Sequence, residues 1–169
     1  MRRLLRKWWF YFMLILGVGF LLPEDGQIPV EGASASDWNP ASFWYYPWGK
    51  SGTHKGVDIF AKRNTPVKAM ASGLVIYQGE LSRGGKVVLV LGPKWRFQYY
   101  AHLASVEVSA FSWLHSGQRL GSVGDSGNAK GKPPHLHFSL MSVVPYPWRI
   151  DTSPQGWKKM FYLNPTQHF

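Results

Sequence analysis

The stretch Pro133-Pro134-His135-Leu136-His137-Phe138-Ser139-Leu140 reads as a loop running into a strand. Successive side chains of a strand point to opposite faces, so residues i and i+2 share one face. His135 and His137 therefore aim two imidazoles the same way, while Leu136 and Phe138 turn into a core. Paired imidazoles suit a metal and its catalytic partner. Two solvent-facing histidines on an edge strand would be spelled the same way, so the choice rests on what the remainder of the chain supplies.

Around this stretch the chain is a succession of short apolar runs and turns. Gly56 to Phe60, Val67 to Met70, Gly73 to Gln78, Lys86 to Leu91, Phe97 to Leu103 and Gln118 to Val123 read as strands. Ser82-Arg83-Gly84-Gly85 reads as a hairpin turn, and Asn64, in the turn before Pro66, as a left-handed residue. Residues 104–116 have the composition of a short helix or a lid. A glycine-rich loop from Gly124 to Pro134 leads into His135, and 145–169 is aromatic and irregular. The expected fold is mainly β: an antiparallel sheet with few helices. Eighteen Gly and twelve Pro among 169 residues agree with many turns, and 16% aromatic content demands a core or a groove. There is no cysteine, which excludes thiol nucleophiles, thiolate zinc sites and disulfides.

Charge divides the chain into three. Residues 1–22 carry +4, residues 23–43 carry −4, and the remainder carries +10. A basic domain fits a polyanion: nucleic acid, anionic lipid or an acidic wall polymer. The basic start Arg2, Arg3, Arg6, Lys7 precedes fifteen uncharged residues, Trp8 to Leu22, the pattern of an export signal. Trp8, Trp9 and Tyr11 suit a membrane interface, and the A-x-A sequence Ala33-Ser34-Ala35 lies far from Leu22. The expectation is an uncleaved transmembrane anchor with residues 1–7 cytoplasmic, or a signal peptide if a mature end lies at Ser36. The resulting division is 1–22 anchor or signal, 23–43 acidic linker and 44–169 a folded domain.

Three short motifs carry the chemistry. His54-Lys55-Gly56-Val57-Asp58 places a histidine and a carboxylate four apart in a loop entering a strand, where they converge; Gly56 argues against a helix. Tyr100-Ala101-His102-Leu103 adds a third histidine motif to the His135/His137 pair. A hydrolytic zinc site needs three protein ligands and an open position, together with groups that take the proton of water and stabilise an oxyanion. His54, Asp58, His102, His135 and His137 meet that list. Spacing alone leaves open which of His135 and His137 binds metal.

These motifs resemble those of the lysostaphin-type (LytM-like) zinc metallopeptidases, which cut peptide bonds in bacterial peptidoglycan. The resemblance runs from about Gly52 to Phe138 and includes Thr65-Pro66-Val67, Ala71-Ser72-Gly73, Ser126-Gly127-Asn128 and Pro134-His135-Leu136-His137-Phe138, with an echo in Leu163-Asn164-Pro165. It implies a LytM-type, duplicated-hybrid-motif-like β domain with a groove and one zinc per chain. His54, Asp58 and His137 are implied as metal ligands, and His102 and His135 as the catalytic pair. Asn64 stands where the family often has glycine. Gly131-Lys132-Pro133-Pro134 is a longer, more basic approach, and Ser139 and Leu140 stand where an acid often follows. His115 and His168 match no family position. Peptidoglycan and, through the first helix, a membrane are the implied partners, at the cell envelope outside the cytoplasm or secreted. Any regulatory protein partner is unnamed, and the export pattern argues against nucleic acid. A non-catalytic module of the same fold that activates another wall hydrolase is the alternative. The aromatics of 43–48 and Trp113 are expected to wall the groove.

Overall fold

A computed structural model describes residues 2–169, and the side chains of residues 7–169. Helix α1 spans Arg2–Leu21. Ten strands follow: β1 Val57–Phe60, β2 Pro66–Lys68, β3 Gly73–Leu81, β4 Gly85–Gly92, β5 Arg96–Leu103, β6 Ser105–Val106, β7 Trp113–Leu114, β8 Arg119–Ser122, β9 His135–Ser142 and β10 Tyr162–Leu163. Seven form one antiparallel sheet in the order β1-β9-β5-β4-β3-β7, with β10 paired to the far half of the β9 edge that β1 occupies. Strands β2, β8 and β6 make a second, small sheet. The mainly antiparallel β fold expected from the sequence is therefore present. Residues 104–116 hold β6 and β7 rather than a helix, and Asn64 is left-handed at φ 70°.

The core lies between the two sheets. Val57, Ile59, Val75, Val88, Val90, Tyr100, Leu136, Phe138 and Leu140 supply the large sheet's inner face, and Val67, Leu120 and Val123 come from the small sheet and its edge. Burying side chains of this size contributes about 1.5–3 kcal/mol each. Val30 joins the core and bridges Val67, so part of the 23–43 segment lies against the small sheet. Among the buried polar groups, the Tyr100 hydroxyl accepts from the Met70 N–H at 2.8 Å and donates to Gln98 Oε1 at 2.7 Å. Tyr100→Phe leaves that N–H without its partner, and a loss of about 1–3 kcal/mol in urea unfolding is expected.

The transmembrane anchor expected from the sequence is not supported. Among the described residues no helix is long and apolar enough to cross a membrane. Within α1 only the uncharged part from Trp8 on is apolar throughout, and it rises about 22 Å as a helix, against a hydrocarbon core of about 30 Å. The side chains of Arg2, Arg3 and Arg6, to which that expectation gave a cytoplasmic place, lie outside the described residues. At the helix's other end the Trp95 indole N–H donates to the Leu16 carbonyl at 2.9 Å.

Candidate active site

The register of the large sheet assembles the site. Antiparallel pairing sets Asp58 of β1 opposite His137 of β9, and Ala101 of β5 opposite His137 on the other side. Directly opposed residues share a face, so Asp58 and His137 meet, and His135 joins them two residues away. Gly56 permits the approach of β1: a Cβ there would collide with the Phe138 carbonyl and press on the His137 ring.

His54 reaches the same point from the preceding loop. Its Nδ1 donates to the Ser42 carbonyl at 3.0 Å, which leaves a lone pair at Nε2. That Nε2 lies 3.1 Å from Asp58 Oδ1 and 3.1 Å from His137 Nδ1, and the last two atoms are 2.7 Å apart. His137 Nε2 faces the Ser139 hydroxyl at 3.1 Å. When His137 donates to Ser139, the three converging atoms carry only lone pairs, an arrangement that a cation stabilises. Burial opposes the charge on Asp58, but when a ring nitrogen of His137 or His54 instead carries a proton toward it, those hydrogen bonds outweigh burial and hold the carboxyl well below its usual range. The triangle is a group that could hold a metal ion. Two imidazoles and a carboxylate are a zinc donor set.

His102 arrives differently. Regular alternation along β5 would face it with Tyr100 into the core and turn Leu103 out. Its backbone is left-handed instead, at φ 63°, and Leu103 enters the core while His102 joins the site. Its ring centroid lies 5.1 Å from that of His135 and 6.0 Å from that of His137. His102 Nδ1 donates to the Ser126 carbonyl at 2.9 Å, and His135 Nδ1 to the Pro133 carbonyl at 2.8 Å. Carbonyls only accept, so each neutral ring keeps Nε2 free as a proton acceptor.

Burial, followed by the charge of His137, pushes His102 down to about 4 from the ordinary 6.5. A lowered folded value means that the unfolded chain binds more protons at this residue in acid. Its contribution to stability is complete above about 6.5 and is lost as pH falls toward about 4. Urea midpoints of the metal-free chain at pH 7 and pH 4.5 (values of roughly this spacing bracket the window) test the sign. The parent is expected to lose more stability on acidification than His102→Gln; an equal loss contradicts it.

Of the aromatics expected to wall the groove, Trp48 does so, whereas Arg83, Tyr99, Asn128 and Gln155 in the same wall were not foreseen. Trp48 stacks on His54 with ring centroids 4.2 Å apart and lines the cleft beside His137. Trp113, expected to wall the groove, instead lines a separate apolar cavity with Leu74, Leu91 and Trp95. It sits on β7 at the edge of the sheet remote from β9, which carries it away from the histidines. His168 packs against Glu24 and Arg96, and His115 is exposed. Ser139 was within reach of sequence reading, since it shares the His137 face two residues on.

Residues 52–147 match the family description Peptidase family M23. The chain belongs to that family. Lysostaphin of Staphylococcus simulans is 36% identical over 99 residues, 57% of this chain and 20% of that protein. Cell division protein DipM of Caulobacter vibrioides is 30% identical over 122 residues, 70% of this chain and 20% of that protein. This M23 chain thus spans about a fifth of the length of either relative. Its fold matches the catalytic domain of the antimicrobial peptidase lysostaphin from Staphylococcus simulans with a TM-score of 0.62 at 27% identity, over 80% of this chain and 96% of that one.

Proposed function

We propose that this M23 chain is a zinc endopeptidase that hydrolyses peptide bonds of bacterial peptidoglycan at the cell wall, outside the cytoplasm. The observation that carries the reading is the convergence of His54 Nε2, Asp58 Oδ1 and His137 Nδ1 within 3.1 Å of one another, with two further imidazoles alongside. In this reading those three atoms are the metal ligands, and residues 44–169 are the peptidase domain. A bound zinc would supply Lewis acidity, bringing a water's pKa to about 7 and polarising the scissile carbonyl.

The chain's own groups do the rest. Ser42 fixes the tautomer of His54, and Ser139 backs His137, as carbonyl and hydroxyl partners do for ligating imidazoles. His102, neutral at pH 7, takes the proton of the attacking water at Nε2 and returns it to the departing amine. His135 borders the same space and steadies the oxyanion from its own Nε2 when that atom carries a proton.

The test is direct. The whole chain, zinc-loaded, is incubated with purified cross-linked peptidoglycan, and released fragments are identified by mass spectrometry. Fragments with new peptide termini, absent after chelation, are expected. Intact peptidoglycan in the presence of one bound zinc would favour the alternative, a wall-binding module that activates another hydrolase.

A further inference from the structure

The groove beside the ligand triangle has two arms of unequal character. The narrower, about 180 Å³, runs past Tyr99, Ala101, His102 and Asn128. The wider, about 440 Å³, runs past Lys50, Lys55 and Lys158. Arg83, Trp48 and His137 border both, so the arms meet at the triangle.

The wider arm is cationic without compensation. Several cations elsewhere are neutralised: Arg63 by Asp125, Lys68 by Glu31, Arg96 by Glu24, Arg119 by Glu107 and Lys159 by Asp151; what sets the wider arm apart is that its cations share one concave wall. Among the described residues no carboxylate pairs with Lys50, Lys55, Lys158 or Arg83, and none lines the wider arm. The Lys55 ammonium is held by the Ser51 and Thr53 carbonyls at 3.0 and 3.3 Å. The fully buried Thr53 hydroxyl, on the same wall, makes no hydrogen bond among the described residues. Like charges gathered on one cleft repel and weaken the compact state, whereas an anionic ligand there gains charge-assisted hydrogen bonds.

We propose that the wider arm is a subsite for a free carboxylate of the substrate peptide, close to the scissile bond. The enzyme then selects anionic stem peptides over uncharged glycine bridges. This rests on the peptidase reading for the bond cut, but the carboxylate subsite stands on the cations alone.

Binding to the metal-free chain separates the two. Tryptophan fluorescence is followed on adding three probes: a stem tetrapeptide whose diamino acid carries a free side carboxylate, the same peptide with that carboxylate amidated, and pentaglycine. The acid is expected to bind about tenfold or more tighter than the amide. The margin shrinks with added salt and is lost in the Lys50→Gln/Lys158→Gln double variant. Lys62→Gln, on an exposed turn that lines neither arm, keeps it. Equal affinity of the parent for acid and amide overturns the subsite, whatever the double variant does. Acid-selective binding without cleavage by the zinc-loaded chain leaves the subsite standing and sinks only the peptidase reading.

Discussion

Asp58→Ala is expected to take bound zinc from near one per chain to near none, and cleavage of peptidoglycan to the chelated background. Asp58 is the only carboxylate of the triangle. Without it two imidazoles remain, and a two-ligand site cannot hold zinc against water as three can. Asp58 Oδ1 also lies against both ring nitrogens, 3.1 Å from His54 Nε2 and 2.7 Å from His137 Nδ1, which are themselves 3.1 Å apart. The change leaves the sheet intact, because Val57 and Ile59 anchor β1 in the core on either side. Metal analysis by mass spectrometry beside a fragment assay checks both halves. A variant that keeps a full zinc complement would remove Asp58 from the ligand set.

His102→Gln is expected to separate chemistry from metal. The residue stands outside the triangle, with its ring 6.0 Å from that of His137, so zinc content should stay near one per chain. Removing a positioned general base costs about 10²–10⁴-fold in rate. The loss should fall on kcat and leave KM little changed, since the ring takes a proton rather than holding the peptide. Loss of zinc in this variant would place His102 among the ligands instead. Near-normal turnover would hand the base role to His135.

Much of this site was legible because it is written in strand period. His135, His137 and their core-facing partners Leu136 and Phe138 follow from alternation, and the meeting of Asp58 with His137 follows once β1 pairs with β9. Which ring nitrogens converge on Asp58 was not legible. It depends on the Ser42 carbonyl, twelve residues from His54, and on a hydroxyl behind His137. Trp48 reaches His54 through a loop whose path has no periodicity to read. Trp113 was misplaced because aromatic density says that a surface must be covered, not which one. The basic and apolar beginning was read for its pattern as an anchor, which the structure does not support, since no helix among the described residues is long and apolar enough to cross a membrane.

The left-handed backbone at His102 sets folding against turnover. A residue with a Cβ costs roughly 1 kcal/mol in that conformation, and glycine or asparagine would occupy it more cheaply. Folding alone therefore favours another residue here. Glycine at this position would relieve that cost and, in the peptidase reading, would end turnover by removing the base. Six others of the described non-glycine residues also adopt positive φ, but His102 is the one of them that stands in the narrower arm of the groove beside His137.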